Sequence, residues 1–298
     1  MNRQTLAAYW LPTVGIGPQG AMSNVQVPLT DVLNYRRADG SHQIDIVNLM
    51  ASSFNPGSDF GDEPLLIDPL LLEAHAAGQV ARLQEAGIKV VLTITGKGSV
   101  GWGSIPAGQM QNFTSYVANY VLGPSGLNLD GVDIDDEYPT NGSAIVPTVE
   151  ALREALPPGK LLSKALWADL TYISQIASLL DYGGIMDYGD SAVSLEDQFN
   201  AYVKAGFAPT QLMIGVNAGP GGPGAAWTSI PTAAALAAWQ PSGGAKMGMM
   251  LWSFSQDIQQ FTGNPQNQPD LMFPNPSDHS WQQAMIFVME SGPSNQGD

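Results

Sequence analysis

Short apolar runs alternating with amphipathic segments constrain this chain more than any other feature of it. Eight runs follow one another: Leu6–Trp10, Ile44–Met50, Lys89–Thr95, Leu129–Tyr138, Leu161–Trp167, Gly184–Tyr188, Gln211–Asn217 and Met247–Ser253. Helical patterns fill the gaps. Asp68–Ala86 reads as a helix, with Asp68 as N-cap before Pro69 and Gly87 as its stop. Gly108–Leu122, Ile145–Leu156, a short turn over Tyr172–Leu180, Leu195–Ala205, Thr232–Trp239 and Ser280–Met289 follow the same logic. Parallel strands need crossovers of this length. Eight β/α units within 298 residues predict an α/β fold, a single (β/α)8 TIM barrel. An open doubly wound sheet is the runner-up. No linker or repeat divides the chain, so residues 1–290 are expected to form one domain and 291–298 a disordered tail.

A barrel of this kind carries its active site at the C-terminal ends of its strands. Tyr9 and Trp10 end the first run, Glu137 the fourth, Tyr188 the sixth, Asn217 the seventh and Trp252 the eighth. Charged residues make up only 13% of the chain, and the net charge is −16. That balance argues against nucleic acid or an anionic membrane as partner and suits a neutral substrate. The absence of cysteine excludes disulfides, thiolate metal sites and cysteine nucleophiles. No run is long and apolar enough for a membrane span. Met1–Thr5 lacks a signal-peptide pattern. The protein is therefore cytoplasmic, or secreted or periplasmic if a leader has been removed. A monomer is expected.

The fourth run, Leu129-Asp130-Gly131-Val132-Asp133-Ile134-Asp135-Asp136-Glu137-Tyr138, concentrates charge as no other stretch does. On a strand, Asp133, Asp135 and Glu137 share one face, and Val132 and Ile134 share the other. An acidic cluster is commonly a solvated surface or a cation site, but the interleaved Val and Ile place this one on a buried strand. Neighbouring carboxylates cannot all ionise at little cost, so one pKa must rise. Glu137, protonated near neutral pH, can then donate to a leaving oxygen. Asp135 is its partner, and Asp133 lies one layer deeper, where it can share a proton with Asp135. A strand is a poor cage for Mg2+ or Ca2+. His42, His75 and His279 show no ligand spacing, and Thr95-Gly96-Lys97-Gly98-Ser99 lacks the spacing of a phosphate loop. No metal or cofactor is expected.

Asp130, Asp133, Asp135 and Glu137 match the D-x-x-D-x-D-x-E signature, and the chain resembles glycoside hydrolase family 18. The resemblance implies a retaining hydrolase in which the 2-acetamido group of a GlcNAc residue attacks its own anomeric carbon. It implies that Asp135 stabilises the oxazolinium, that Glu137 acts as acid and then as base, and that Tyr188 hydrogen-bonds the acetamido oxygen. Met186-Asp187-Tyr188 resembles the family's sixth-strand motif, and Trp252 its subsite floor; the plain alternatives are a rim tyrosine and a core tryptophan. Tyr9, Trp10 and Asn217 are further candidates for substrate binding. Asp136 stands where many chitinases have a bulky residue, often Trp, and Asp135-Asp136-Glu137-Tyr138 resembles instead endo-β-N-acetylglucosaminidases of the endoglycosidase H type. In the stretch Asp181-Tyr182 through Tyr188-Gly189, Ile185 replaces that branch's usual Asn. About 29 residues separate runs seven and eight, too few for the extra domain of many processive chitinases. Trp252 and Tyr138-Pro139 look chitinase-like. The expected substrate is a GlcNAc-containing glycan cut at the GlcNAc-β1,4-GlcNAc chitobiose core of N-linked chains. A chitinase acting on chitin oligosaccharides and an inactive lectin-like barrel are the alternatives, and an intact Glu137 argues against the latter.

Overall fold

A computed structural model describes residues 3–16, 23–58, 60, 63–137, 144–167, 170–186, 188, 192–218, 228–258 and 279–291. Within them the β/α alternation closes on itself. β1 (Thr5–Trp10) pairs in parallel with β2 (Ile46–Phe54). The series continues through β3 (Lys89–Thr95), β4 (Gly131–Asp135), β5 (Leu161–Leu166), β6 (Tyr182–Ile185), β7 (Leu212–Asn217) and β8 (Gly248–Trp252), each parallel to the next. β8 returns to β1 in a register running from Thr5↔Gly248 to Ala8↔Leu251. The sheet is a closed eight-stranded (β/α)8 TIM barrel, and closure excludes the open doubly wound sheet. A hairpin of Thr13–Ile16 with Ser23–Gln26 follows β1, and Leu65–Ile67 adds antiparallel to the end of β2.

The helices are α1 (Pro69–Ala76), α2 (Gln79–Glu85), α3 (Met110–Tyr116), α4 (Ile145–Ala155), α5 (Ile173–Ile176), α6 (Ala192–Lys204), α7 (Ile230–Ala238), α8 (Phe254–Asp257) and α9 (Ser280–Ser291). Asp68 caps α1 as expected, accepting from the Leu70 amide at 2.8 Å. The helix expected over Asp68–Ala86 is two helices. Gly78 takes a left-handed φ of 71° between them, which ends one helix and lets the chain restart as another. β2 outruns its expected end: a bulge between Leu49 and Ser52 carries it to Phe54. β6 stops short at Ile185, so Tyr188 lies three residues beyond it rather than at its end. Ser291 belongs to α9 and not to a tail; 292–298, like Tyr138, Pro139 and Asp187, lie outside the described residues.

Strand alternation builds two separate cores. Outward-facing Val47, Leu49, Val90, Leu92, Ile94, Val132, Ile134, Ile214 and Val216 are buried against the helix layer. Inward-facing Ala7, Tyr9, Ile46, Val91, Tyr182, Met213 and Met250 fill the barrel. At the N-terminal end, three aspartates repeat one arrangement. Asp45, Asp130 and Asp181 each precede an even-numbered strand and donate their amide to a carbonyl at the start of the odd strand before it: Leu6, Val90 and Leu162, at 2.8, 2.7 and 2.8 Å. Each carboxylate then accepts from that same residue's amide, at 2.9, 2.9 and 2.7 Å. Each also meets a cation: Arg37 and Arg3 for Asp45, Lys89 for Asp130, Arg153 for Asp181.

Candidate active site

β4 delivers the acids in the order that alternation dictates. Asp130 stays at the N-terminal end, in the clamp just described, so the first acid of the signature holds strands together far from the barrel mouth. Asp133 sits inside the barrel, 1% exposed. It accepts three hydroxyl hydrogen bonds: from Ser163 at 2.6 Å, Tyr9 at 2.8 Å and Thr93 at 3.1 Å. Burial pushes its pKa up, and the three donors oppose that rise. A deeper hydrogen bond, Tyr182 Oη to Asn48 Oδ1 at 3.1 Å, floors the same interior.

Asp135 lies two residues nearer the mouth and is 3% exposed. Its Oδ1 is buried and has no hydrogen-bond partner among the described residues. Burial first, then repulsion from Glu137 and Asp133, pushes its pKa up to about 8, so it retains a proton at neutral pH. Glu137 stands at the rim, exposed. Its pKa is also raised by desolvation against the neighbouring atoms, with Lys164 opposing. The wall thus runs from an acid held by three hydroxyls, through one raised by burial and its neighbours, to one open to the outside.

Aromatic groups surround the wall. The Tyr9 and Trp252 rings lie 5.2 Å apart at a 60° tilt. Trp252, partly exposed, caps the inner core from β8 beside Asn217, its register partner on β7. Asn217 is buried and shares the inward face with Met213 and Gly215. Tyr188 packs on the inner cluster as well. A Cβ on Gly215 would come within 3.1 Å of the Tyr188 ring and 2.4 Å of the Ile185 carbonyl, so only glycine lets the ring sit this close to β7. Burial and the nearby carboxylates hold the hydroxyls of Tyr9 and Tyr188 well above the usual tyrosine range, which keeps both as neutral donors.

One expected site residue is not brought here. Adjacent strand residues point opposite ways, and Trp10 faces the helix layer. It is 1% exposed, and its indole donates to the Val27 carbonyl at 3.0 Å. Trp10 is therefore a core residue of the outer layer. Four groups that sequence reasoning passed over stand by the acids: Thr93 and Ser163 bond Asp133 from within the barrel, Tyr172 bonds Asp136 at 3.4 Å, and Lys164 lies behind the strand, opposite Ile134. Only Lys164 had a usable signal, as a lone cation within the apolar run Leu161-Leu162-Ser163-Lys164-Ala165-Leu166. Beyond the mouth, Asn55, Pro56 and Phe60 after β2 and Val100, Pro106, Gly108 and Gln109 after β3 line a cleft of about 440 Å3. That volume is within the range of small-ligand pockets.

The family model of the endo-β-N-acetylglucosaminidase EndoS TIM-barrel domain matches residues 44–251. An endo-β-N-acetylglucosaminidase of Flavobacterium sp. (strain SK1022) is 32% identical over 180 residues, which cover 54% of this chain and 55% of that protein. The chain thus matches about half the length of this curated relative. Among solved structures, the apo endo-β-N-acetylglucosaminidase of Cordyceps militaris superposes with a TM-score of 0.66 at 21% identity, over 97% of this chain and 92% of the other. Catalytic domain 2 of a group II chitinase from Ostrinia furnacalis gives 0.67 at 14% identity, over 97% of each. At such identities these two structures speak for the fold alone.

Proposed function

Since the chain belongs to the family of the endo-β-N-acetylglucosaminidase EndoS TIM-barrel domain, we propose that it is a retaining glycoside hydrolase that cuts the GlcNAc-β1,4-GlcNAc core of N-linked glycans. The observation that carries this reading is the buried Oδ1 of Asp135, without a partner among the described residues, between Asp133 and Glu137 in sequence and on one face of the strand. A buried polar oxygen without a partner calls for one, and the acetamido N–H of a bound GlcNAc is a suitable donor. The acetamido carbonyl oxygen then attacks the anomeric carbon from within the sugar. Glu137 gives its proton to the glycosidic oxygen as the anomeric C–O bond breaks. The resulting oxazolinium carries positive charge on the ring nitrogen, which an ionised Asp135 stabilises, its proton passing toward Asp133. Tyr188, a neutral donor, orients the acetamido oxygen, and Trp252 with Tyr9 offers an aromatic surface for the apolar sugar face. Water attacks the same carbon and yields its proton to Glu137, so two inversions leave the configuration retained.

Trp252 beside Tyr9 supports one competing reading, a chitinase, because an aromatic floor also suits a linear chain of GlcNAc. The two readings share their chemistry and differ in the rest of the sugar. Parallel digestion of a high-mannose glycopeptide and of chitohexaose, read by mass spectrometry, separates them. Release of the glycan with a single GlcNAc left on the peptide is the expected result. Cleavage of chitohexaose alone would replace it with the chitin reading, and cleavage of neither would leave a sugar-binding barrel.

A further inference from the structure

The chemistry above makes no use of Lys164, although burying a lysine is costly unless something nearby rewards its charge. Lys164 is 3% exposed and lies on β5 opposite Ile134 of β4. Its outward-facing strand neighbours, Leu162 and Leu166, belong to the apolar outer layer. Its Nζ stands 5.9 Å from the centre of the Tyr172 ring, and the Tyr172 hydroxyl donates to Asp136 at 3.4 Å. Alternation places Asp136 on the same side of the acid strand as Ile134, away from Asp135. Lysine, tyrosine and aspartate thus form a cluster behind the acid wall, one strand away from the reacting face.

We propose that Lys164 is a positioning residue: the buried cation behind β4 that keeps Asp135 and Glu137 ionisable in the pH range where the enzyme works. The proposal rests on the glycosidase reading above. Asp136 shares the side of Lys164, while Asp133, Asp135 and Glu137 influence it from across the strand; Tyr172 faces it from the segment before α5, and the Tyr9 and Tyr188 hydroxyls face the carboxylates from the far side of the wall. Burial pushes the Lys164 pKa down, and Asp136, then Asp135, Asp133 and Glu137, oppose that fall; Lys164 in turn opposes the upward shift of Asp133, Asp135 and Glu137. A charge set behind the strand can act on all three acids without occupying space that the sugar needs.

The test is the pH profile of kcat/KM for Lys164→Met, Lys164→Arg and Lys164→Gln, together with 13C NMR titration of the carboxyl groups in the same proteins. Lys164→Met is expected to move both limbs and the carboxyl midpoints upward by about one pH unit, the low end of what a nearby opposite charge does. Lys164→Arg should leave them in place, and Lys164→Gln, neutral like the methionine but able to hydrogen-bond, should move them up as Lys164→Met does. A Lys164→Met protein that loses activity evenly at every pH, with unmoved midpoints, would show a packing role and overturn the proposal. So would an arginine variant shifted as far as the methionine one. If Lys164→Met does not fold, Lys164→Gln decides, and unmoved or downward midpoints refute the idea. Should the wild type cleave none of the glycans, the glycosidase reading fails, while the carboxyl titration still judges Lys164.

Discussion

At the scale of single residues, Asp135 works against the fold that holds it. Burial, then Glu137 and Asp133, push its carboxyl from an ordinary value of 3.8 up to about 8 in the folded chain. Between those values the folded protein holds a proton that the unfolded chain has released. This contribution to stability is therefore fully present below about pH 4 and is lost as pH rises through 8. Asp135→Asn removes the titrating group and should be more stable than its parent. The gain should grow from pH 4 to pH 8, to on the order of a few kcal/mol. Urea melts at pH 4, 6 and 8 measure it, and parallel curves for the two proteins across that window would contradict it. Glu137→Gln keeps shape and loses the transferable proton, so kcat should fall by at least about 10²-fold. A variant turning over at the wild-type rate would remove Glu137 from the role of acid. Much of this wall was legible in the chain, because period-two alternation sorts Asp133, Asp135 and Glu137 from Val132 and Ile134 without any coordinates. Thr93 and Ser163 were not legible. Each is a single hydroxyl in an apolar run, and its meaning depends on β3 and β5 flanking β4 in a register that brings both beside Asp133.

At the scale of elements, the three aspartate clamps explain how short parallel strands start in step. A strand's first amide has no ladder partner until its neighbour supplies one. Asp45, Asp130 and Asp181 supply it with a carboxylate, and the paired cation steadies that carboxylate. Hydrogen bonds to a charged acceptor contribute more than neutral ones. Asp130→Ala should therefore cost about 1–3 kcal/mol and lower Tm, while leaving kcat on whichever glycan is cut within about twofold. A tenfold fall in kcat with unchanged Tm would instead return Asp130 to the chemistry. The acid signature ran straight through Asp130, and nothing in the linear pattern separates an acid that closes a strand from one that lines the barrel mouth. Only its place before the first residue of β4 does. Helix ends were read with similar limits. The Asp68-Pro69 start was plain from residue type, whereas Gly78 inside an apolar periodicity could be tolerated or could break the helix, and its left-handed φ decided for a break.

At the scale of the whole molecule, closure decides how the protein should come apart. Each barrel strand is hydrogen-bonded on both sides, β1 to β2 and β8 included. Among the described residues the barrel strands leave no edge from which one half could open while the other stands. The outer core is also continuous: one cluster of buried residues runs from Leu6 on β1 through Val132 and Ile134 on β4 to Trp281, Met285 and Ile286 on α9. A chain built so should unfold as one unit, which is the domain organisation expected for residues 1–290. Tryptophan emission and far-UV circular dichroism report different regions, since Trp102 follows β3, Trp252 ends β8 and Trp281 lies on α9. In guanidinium chloride both signals should trace one superimposable transition, with a slope suited to a single large exposed surface. Two separated transitions, or a fluorescence midpoint displaced from that of the dichroism, would mean that the barrel splits. The acid wall on β4 would then owe its geometry to half a barrel, and the inner core shared by Ala7, Met213 and Met250 would not be what holds Tyr9 against Asp133.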